Sequence, residues 1–153
     1  MSSSVIYVDA DACPVKDEAV RVAERHGMAV HMVSDGGVRP YRSPLVSVHV
    51  VAQGADAADD WIAERAGVGD IVVTNDIPLA DRCIKAGAGV IRPNGREITS
   101  DSIGMTLATR NLMTDLRSAG EATGGPAPFS KQDRSRFLQT LEVMAQAAKR
   151  RQS

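Results

Sequence analysis

Aromatic residues are scarce in this chain: one Trp, two Tyr and two Phe, 3% of the sequence. So few rings exclude an extended stacking platform for single-stranded nucleic acid, where successive bases need successive rings. They also argue against an all-β fold, whose strands favour aromatic residues. Cysteine is nearly missing too. Cys13 and Cys83 are the only two, too few for a zinc site unless histidines join them, and His26, His31 and His49 show no ligand spacing. The formal net charge is −1, so no global field attracts polyanions and any phosphate site has to be a local basic patch. No uninterrupted apolar run approaches the roughly 20 residues of a membrane span. Met1-Ser2-Ser3-Ser4 leads straight into a strand-like segment without an apolar signal sequence. These absences predict a cytoplasmic protein with no membrane partner. In that reducing compartment a disulfide between the two cysteines is not expected. The oligomeric state is not specified by the sequence.

What is present fits an ordinary globular domain. Across 153 residues, 43% are hydrophobic and 24% charged, enough apolar surface for one sizeable core. Val5 to Val8 is a β-favouring run that ends in Asp9-Ala10-Asp11. Pro14 then opens a helical pattern carried by Val15, Ala19, Val22 and Ala23 and closed by Gly27. Further strands are predicted over 29–34, 46–51, 70–75 and 89–92. The loop before the third is short for a helical crossover and leaves that strand's orientation open. Helices are predicted over 56–66 and 77–86. Pro93-Asn94-Gly95 reads as a hairpin turn into 96–99, and a helical pattern follows from Asp101 to Gly120. Residues 120–130 read as a Gly/Pro-rich connector. Ser130 and Asp133 form an N-cap box for a last helix over 131–150. Alternating strand and helix predict an α/β fold: one domain, 1–153, with a mostly parallel central sheet of about five strands between helical layers and a C-terminal helix.

Acidic residues cluster where such a fold binds ligands, at the carboxyl edge of the sheet. As strand residues, Asp9 and Asp11 share one side by the period-2 alternation. Asp56, Asp59 and Asp60 crowd the start of the middle helix, and Asp76 follows the Val72-Val73-Thr74-Asn75 run. A group of carboxylates with few lysines nearby suits a hard cation, Mg²⁺ or Mn²⁺. Two such ions about 3.5–4 Å apart can activate a water and stabilise the leaving oxygen of a phosphodiester. Each acid also has a structural reading. Asp56 is placed to cap a helix, and Asp59, Asp60 and Asp81 fit solvated faces. Asp9 and Asp76 resist that reading best, because each ends an apolar strand at the ligand-binding edge.

Four segments, taken in order, resemble the YaiI/YqxD family of bacterial proteins: Ile6-Tyr7-Val8-Asp9-Ala10-Asp11-Ala12-Cys13-Pro14-Val15-Lys16, Gly54-Ala55-Asp56-Ala57-Ala58-Asp59, Val73-Thr74-Asn75-Asp76-Ile77-Pro78-Leu79-Ala80 and Thr123-Gly124-Gly125-Pro126. The resemblance spans nearly the whole chain. It implies a three-layer fold like that of the PIN-like nucleases, whose acidic pocket holds Mg²⁺ or Mn²⁺ for RNA cleavage. By motif, Asp9 matches the acid after the first strand, Asp76 the strand-end acid and Asp59 the helix acid, while Asp11 belongs to the family's own Asp-Ala-Asp pattern. Asp81 lies beyond the matched segment.

The expected function is therefore a metal-dependent phosphodiesterase of the RNase kind. Asp9, Asp11, Asp59 and Asp76 carry its chemistry, and Asp9, Asp11, Asp56, Asp59 and Asp76 are the candidate metal ligands. Lys16, Ser34, Arg39, Arg42, Thr74 and Asn75 are the candidate contacts to RNA. Arg134 and Arg136, which open the last helix, are further phosphate candidates. Cys13 reads as packing or a cap rather than a nucleophile. Two alternatives stand beside this expectation. One is an aspartyl-phosphate phosphatase of the haloacid dehalogenase type, with Asp9 as nucleophile, Asp11 as acid and base and Ser34 as its second motif; the sequence offers it no lysine between Lys16 and Lys85. The other is a non-catalytic module that binds RNA or a protein.

Overall fold

A computed structural model describes residues 4–11, 13–36, 41–51, 57–103 and 129–152, with residues 151 and 152 as backbone only. Six strands form one sheet: β1 (Val5–Asp9), β2 (Ala29–Ser34), β3 (Val46–Val50), β4 (Ile71–Val73), β5 (Gly89–Ile91) and β6 (Glu97–Ile98). Four helices have assigned bounds: α1 (Lys16–His26), α2 (Ala57–Arg65), α3 (Ile77–Lys85) and α4 (Lys131–Gln152). Residues 100–103 are also helical. The strand order is β3-β2-β1-β4-β5-β6. All neighbours are parallel except the β5–β6 pair.

The alternation of side chains along the strands splits the core into two layers. Ile6 and Val8 of β1 join Val30, Met32, Ile71 and Val73 under α1 and α4, where Val15, Val22, Phe137 and Leu141 are fully buried. Tyr7 faces the other way, with Val72 and Val90, under α2 and α3. Helices on both faces of a parallel sheet make the three-layer α/β architecture expected from the sequence, consistent with a PIN-like fold. The hairpin predicted at Pro93-Asn94-Gly95 forms, and its return strand makes the sheet six-stranded rather than five.

One open point is decided and one local expectation changes. Strand β3 is parallel to β2, paired from Val30↔Val46 to Ser34↔Val50. No helix links them among the described residues. Instead Tyr41, shortly before β3, packs against the α1 face of the core and donates to Asp17 at 2.8 Å. The first helix begins at Lys16, not at Pro14. Cys13 and Val15 are both buried, and turning both into the core holds residues 13–15 in a turn before the helix starts.

Other signals act as read. Ser130 and Asp133 cap α4 reciprocally, with N–H···O distances of 3.0 and 3.1 Å. Asp70 accepts from the backbone N–H of Val5 and of Gly67, both at 3.0 Å, and so ties the start of β1 to the start of β4. The arginines that open α4 are structural. Arg134 pairs with the buried Glu18 of α1 and donates to the Pro14 carbonyl, while Arg136 donates to Asn94 O and Asp133. The expected helix through Leu107, Leu112 and Leu116, and the 120–130 connector up to residue 128, lie outside the described residues.

The β5–β6 turn is pressed against α4. A Cβ on Gly95 would stand 2.5 Å from the backbone of Arg136 and Phe137, and the residue has φ +91°. Gly95→Ala therefore adds a steric overlap to a left-handed backbone, and we expect it to cost about 3 kcal/mol. Urea denaturation checks this. An unchanged midpoint would mean that α4 does not dock on this turn.

Candidate functional site at the carboxyl edge of the sheet

The strand order reverses direction between β1 and β4. From β1 the chain moves outward to β2 and β3; from β4 it moves the other way to β5 and β6. Connections leaving in opposite directions open a crevice above the carboxyl ends of these two strands. Asp9 is the last residue of β1. In register, Val8 lies opposite Val73, so Asp9 lies beside Thr74. The buried Thr74 hydroxyl donates to Asp9 Oδ2 at 2.9 Å and accepts from the backbone N–H of Asp76 at 3.0 Å. Asp76 caps α3, accepting from Leu79 N–H at 2.8 Å.

Asp11 belongs to the opposite wall. Strand β1 stops at Asp9 and Asp11 lies in a turn, so the strand alternation that would align the two acids does not reach it. Asp11 leans on β2, where the buried Ser34 hydroxyl donates to it at 2.6 Å and the Asp35 N–H at 3.2 Å. Four acids thus face one edge. Among the described residues none of Asp9, Asp11, Asp35 and Asp76 is ion-paired to a lysine or arginine. Burial raises the pKa of Asp9 above the ordinary 3.8, and the charges of Asp11, Asp76 and Asp35 add to that, against the lowering effect of the Thr74 hydrogen bond.

Residues 7–147 match the family model described as "Uncharacterized BCR, YaiI/YqxD family". The chain belongs to the YaiI/YqxD family. It is 62% identical over 146 residues to the UPF0178 protein of Parvibaculum lavamentivorans, covering 95% of this chain and 96% of that one. To the UPF0178 protein of Nitrobacter winogradskyi it is 62% identical over 142 residues, 93% and 90% of the two chains. To that of Rhodopseudomonas palustris BisB18 it is 61% identical over 143 residues, 94% and 92%. No solved structure matches the chain.

The other sequence candidates of this YaiI/YqxD protein sit as follows. Lys16 donates to the Cys13 carbonyl at 2.9 Å. Asn75 and Arg42 are exposed, Asn75 at the rim of the crevice beside Thr74. Asp59, on α2, acts electrostatically on Arg82 and Cys83 of α3. Asp60 pairs with Arg82 at 2.8 Å and Asp81 with Lys85 at 2.8 Å. Arg39 and Asp56 lie outside the described residues. Cys13 and Cys83 are buried free thiols whose pKa values are raised by burial, Cys83 to about 11, which suits packing rather than nucleophilic attack. Sequence reasoning missed Asp35. The signal was there, because Asp35 follows β2 as Asp9 ends β1 and Asp76 follows β4, yet in the sequence its Gly36-Gly37 context reads only as a strand breaker.

The donor chemistry can be weighed against a divalent cation. All four side chains offer carboxylate oxygens, the ligands that Mg²⁺ and Mn²⁺ prefer. Among the described residues, however, no three His, Cys, Asp or Glu side chains are gathered closely enough to form a ready-made metal set. Mg²⁺ does not need one; it commonly keeps several waters and takes only one or two carboxylates. Their donor chemistry would suit a hydrated cation held by one or two carboxylates, not a closed protein cage.

The raised pKa of Asp9 has a consequence for stability. In the fold the ionised form is disfavoured, so its contribution turns unfavourable as pH rises from the unfolded pKa through the folded one and stays so above it. Asp9→Asn, which keeps an acceptor for Thr74, should raise the melting temperature at neutral pH. The gain should vanish as pH falls below the ordinary 3.8 of a free aspartate. Thermal melts across pH provide the check, and a variant less stable than the native protein at pH 7 refutes the electrostatic account.

Proposed function

We propose that this chain is a divalent-cation-dependent phosphodiesterase that cleaves single-stranded RNA in the crevice between β1 and β4. One observation carries the reading: the half-buried Asp9 carboxylate stands among Asp11, Asp35 and Asp76 with no basic partner among the described residues. Folding has gathered like charges at the ligand-binding edge, an arrangement that lowers stability and that a cation would offset. Asp9 with Asp76 or Asp11 would hold Mg²⁺ or Mn²⁺. When bound, such an ion supplies Lewis-acid stabilisation of negative charge on phosphoryl oxygens.

The protein's own groups divide the remaining work. Thr74 fixes the orientation of the Asp9 carboxylate, and Ser34 with the Asp35 N–H fixes that of Asp11. The exposed Asn75 amide at the rim can donate to a phosphate oxygen. The aspartyl-phosphate alternative gains no such support, because the Ser34 hydroxyl donates to Asp11 and the sequence holds no lysine between Lys16 and Lys85.

The test is cleavage of mixed-sequence single-stranded RNA by the purified protein. Activity should require Mn²⁺ or Mg²⁺, stop on chelation, and fall at least about a hundredfold in Asp9→Asn. RNA left intact with either metal defeats the proposal. Calorimetric titration with Mn²⁺ adds a reading independent of turnover. Protons compete with the cation for Asp9, so affinity should increase as pH rises through the elevated pKa of that group. A protein that folds but binds no Mn²⁺ would instead be the non-catalytic module.

A further inference from the structure

Among the described residues, arginine side chains are either exposed or partnered, with one exception. Arg25 pairs with Glu142, Arg82 with Asp60, Arg134 with Glu18 and Arg136 with Asp133, while Arg65 lies over the Trp61 ring. Arg21, Arg42 and Arg96 are exposed. Arg92 is half-buried, and its Nε is inaccessible to solvent with no hydrogen-bond partner. No side-chain hydrogen bond or ion pair satisfies its guanidinium among the described residues. A guanidinium stays protonated in any protein environment. Burying part of it unpaired is costly.

Its position in the sheet is specific. Thr74 N–H donates to Ile91 O at 3.1 Å, and Arg92 N–H donates to Arg96 O at 2.9 Å. The ladder therefore continues one residue past β5 on both sides and sets Arg92 beside Thr74. Val90 faces the α2–α3 layer and Ile91 the α1–α4 layer, so the alternation returns Arg92 to the side of Val90. By the same alternation Asp9 follows Tyr7 and Thr74 follows Val72 onto that side. Asp9, Thr74 and Arg92 form one row across the carboxyl edge: an acid, a hydroxyl and an unpaired cation on three adjacent strands. Among the described residues no ion pair joins Arg92 to Asp9 or Asp76.

We propose that Arg92 binds a phosphate group of the substrate at this crevice. A planar fork of N–H donors matches phosphate oxygens two at a time. One unpaired guanidinium beside an acid-bound cation would leave the phosphodiester held from both sides. The inference rests on the phosphodiesterase reading for the identity of the anion as RNA, but not for the existence of the anion site.

The test is binding of a short fluorescent single-stranded RNA, followed by anisotropy with Ca²⁺ in place of Mn²⁺ and repeated over a range of salt concentrations. Arg92→Met keeps an unbranched apolar stem and removes the charge. Its affinity should fall about tenfold or more, the loss of one charged hydrogen bond to phosphate. The slope of log K against log salt should shrink by about 0.7, one phosphate contact on a single strand. The melting temperature should hold or rise, because an unpaired buried charge is gone, and Arg92→Lys should recover part of the affinity. Equal affinity and slope in Arg92→Met and the native protein would overturn the inference, as would a marked fall in melting temperature or a native protein that binds no RNA. The two readings can fail separately. RNA binding that depends on Arg92 without cleavage in Mn²⁺ leaves the phosphate contact and removes the phosphodiesterase; cleavage that needs Asp9 but ignores Arg92 does the reverse.

Discussion

The register of β1 against β4 is the constraint on which the rest depends. Val8 lies opposite Val73, and one residue further along the Thr74 hydroxyl meets Asp9. A slip of one residue would turn Asp9 into the opposite core layer and break that contact. Register is held from below by Asp70, which ties Val5 of β1 to the loop before β4. On either face it is held by buried Ile6, Val8, Ile71 and Val73 under α1 and α4, and by Tyr7 and Val72 under α2 and α3. The amino end of the sheet is thus tied by hydrogen bonds and the middle by packing. The carboxyl end is left to carry polar groups.

That division lets the molecule tolerate a locally unfavourable edge. Four acids without basic partners among the described residues repel one another and one is partly desolvated, so the edge lowers stability instead of adding to it. The offset comes from elsewhere. Helix α4 buries Phe137, Leu141 and Ala145 against the sheet, and Arg134 neutralises Glu18 at the α1–α4 contact. Two of the five aromatic residues, Tyr7 and Trp61, gather with two histidines on the α2 side of the sheet. Tyr7, His31, His49 and Trp61 stack with centroid separations of 4.4–6.1 Å, and Arg65 covers Trp61 at 4.0 Å. Within that stack burial lowers the pKa of His31 and His49, so both favour the neutral form. Trp61 has a ring on one side and a guanidinium nearby, which fits packing over the β1–β3 face rather than a free surface for bases.

Much of this was legible in the primary structure because local rules sufficed. Apolar runs bounded by Gly and Pro marked the strands. The Ser130–Asp133 box marked the start of α4, and the strand-end positions of Asp9 and Asp76 marked the edge. Three readings failed where local rules stop applying. Alternation placed Asp9 and Asp11 together, but the strand ends between them. Proline preference started α1 at Pro14, but burial of Cys13 and Val15 delays it. Arg134 and Arg136 read as phosphate candidates, but both find partners inside the fold across long separations in sequence. Asp35 and Arg92 were passed over for the same reason: beside a glycine pair or a proline turn, neither stands out until neighbouring strands supply its row.

The sequence by itself determined the alternating α/β plan, the family and the strand-end acids, because these depend on side-chain period, turn chemistry and motif order along a single segment. Tertiary structure alone decided which charges remain without partners. Whether a carboxylate or guanidinium is neutralised depends on what sits across from it on another strand or helix, and those neighbours are chosen by sheet order and register, which no single stretch of chain encodes.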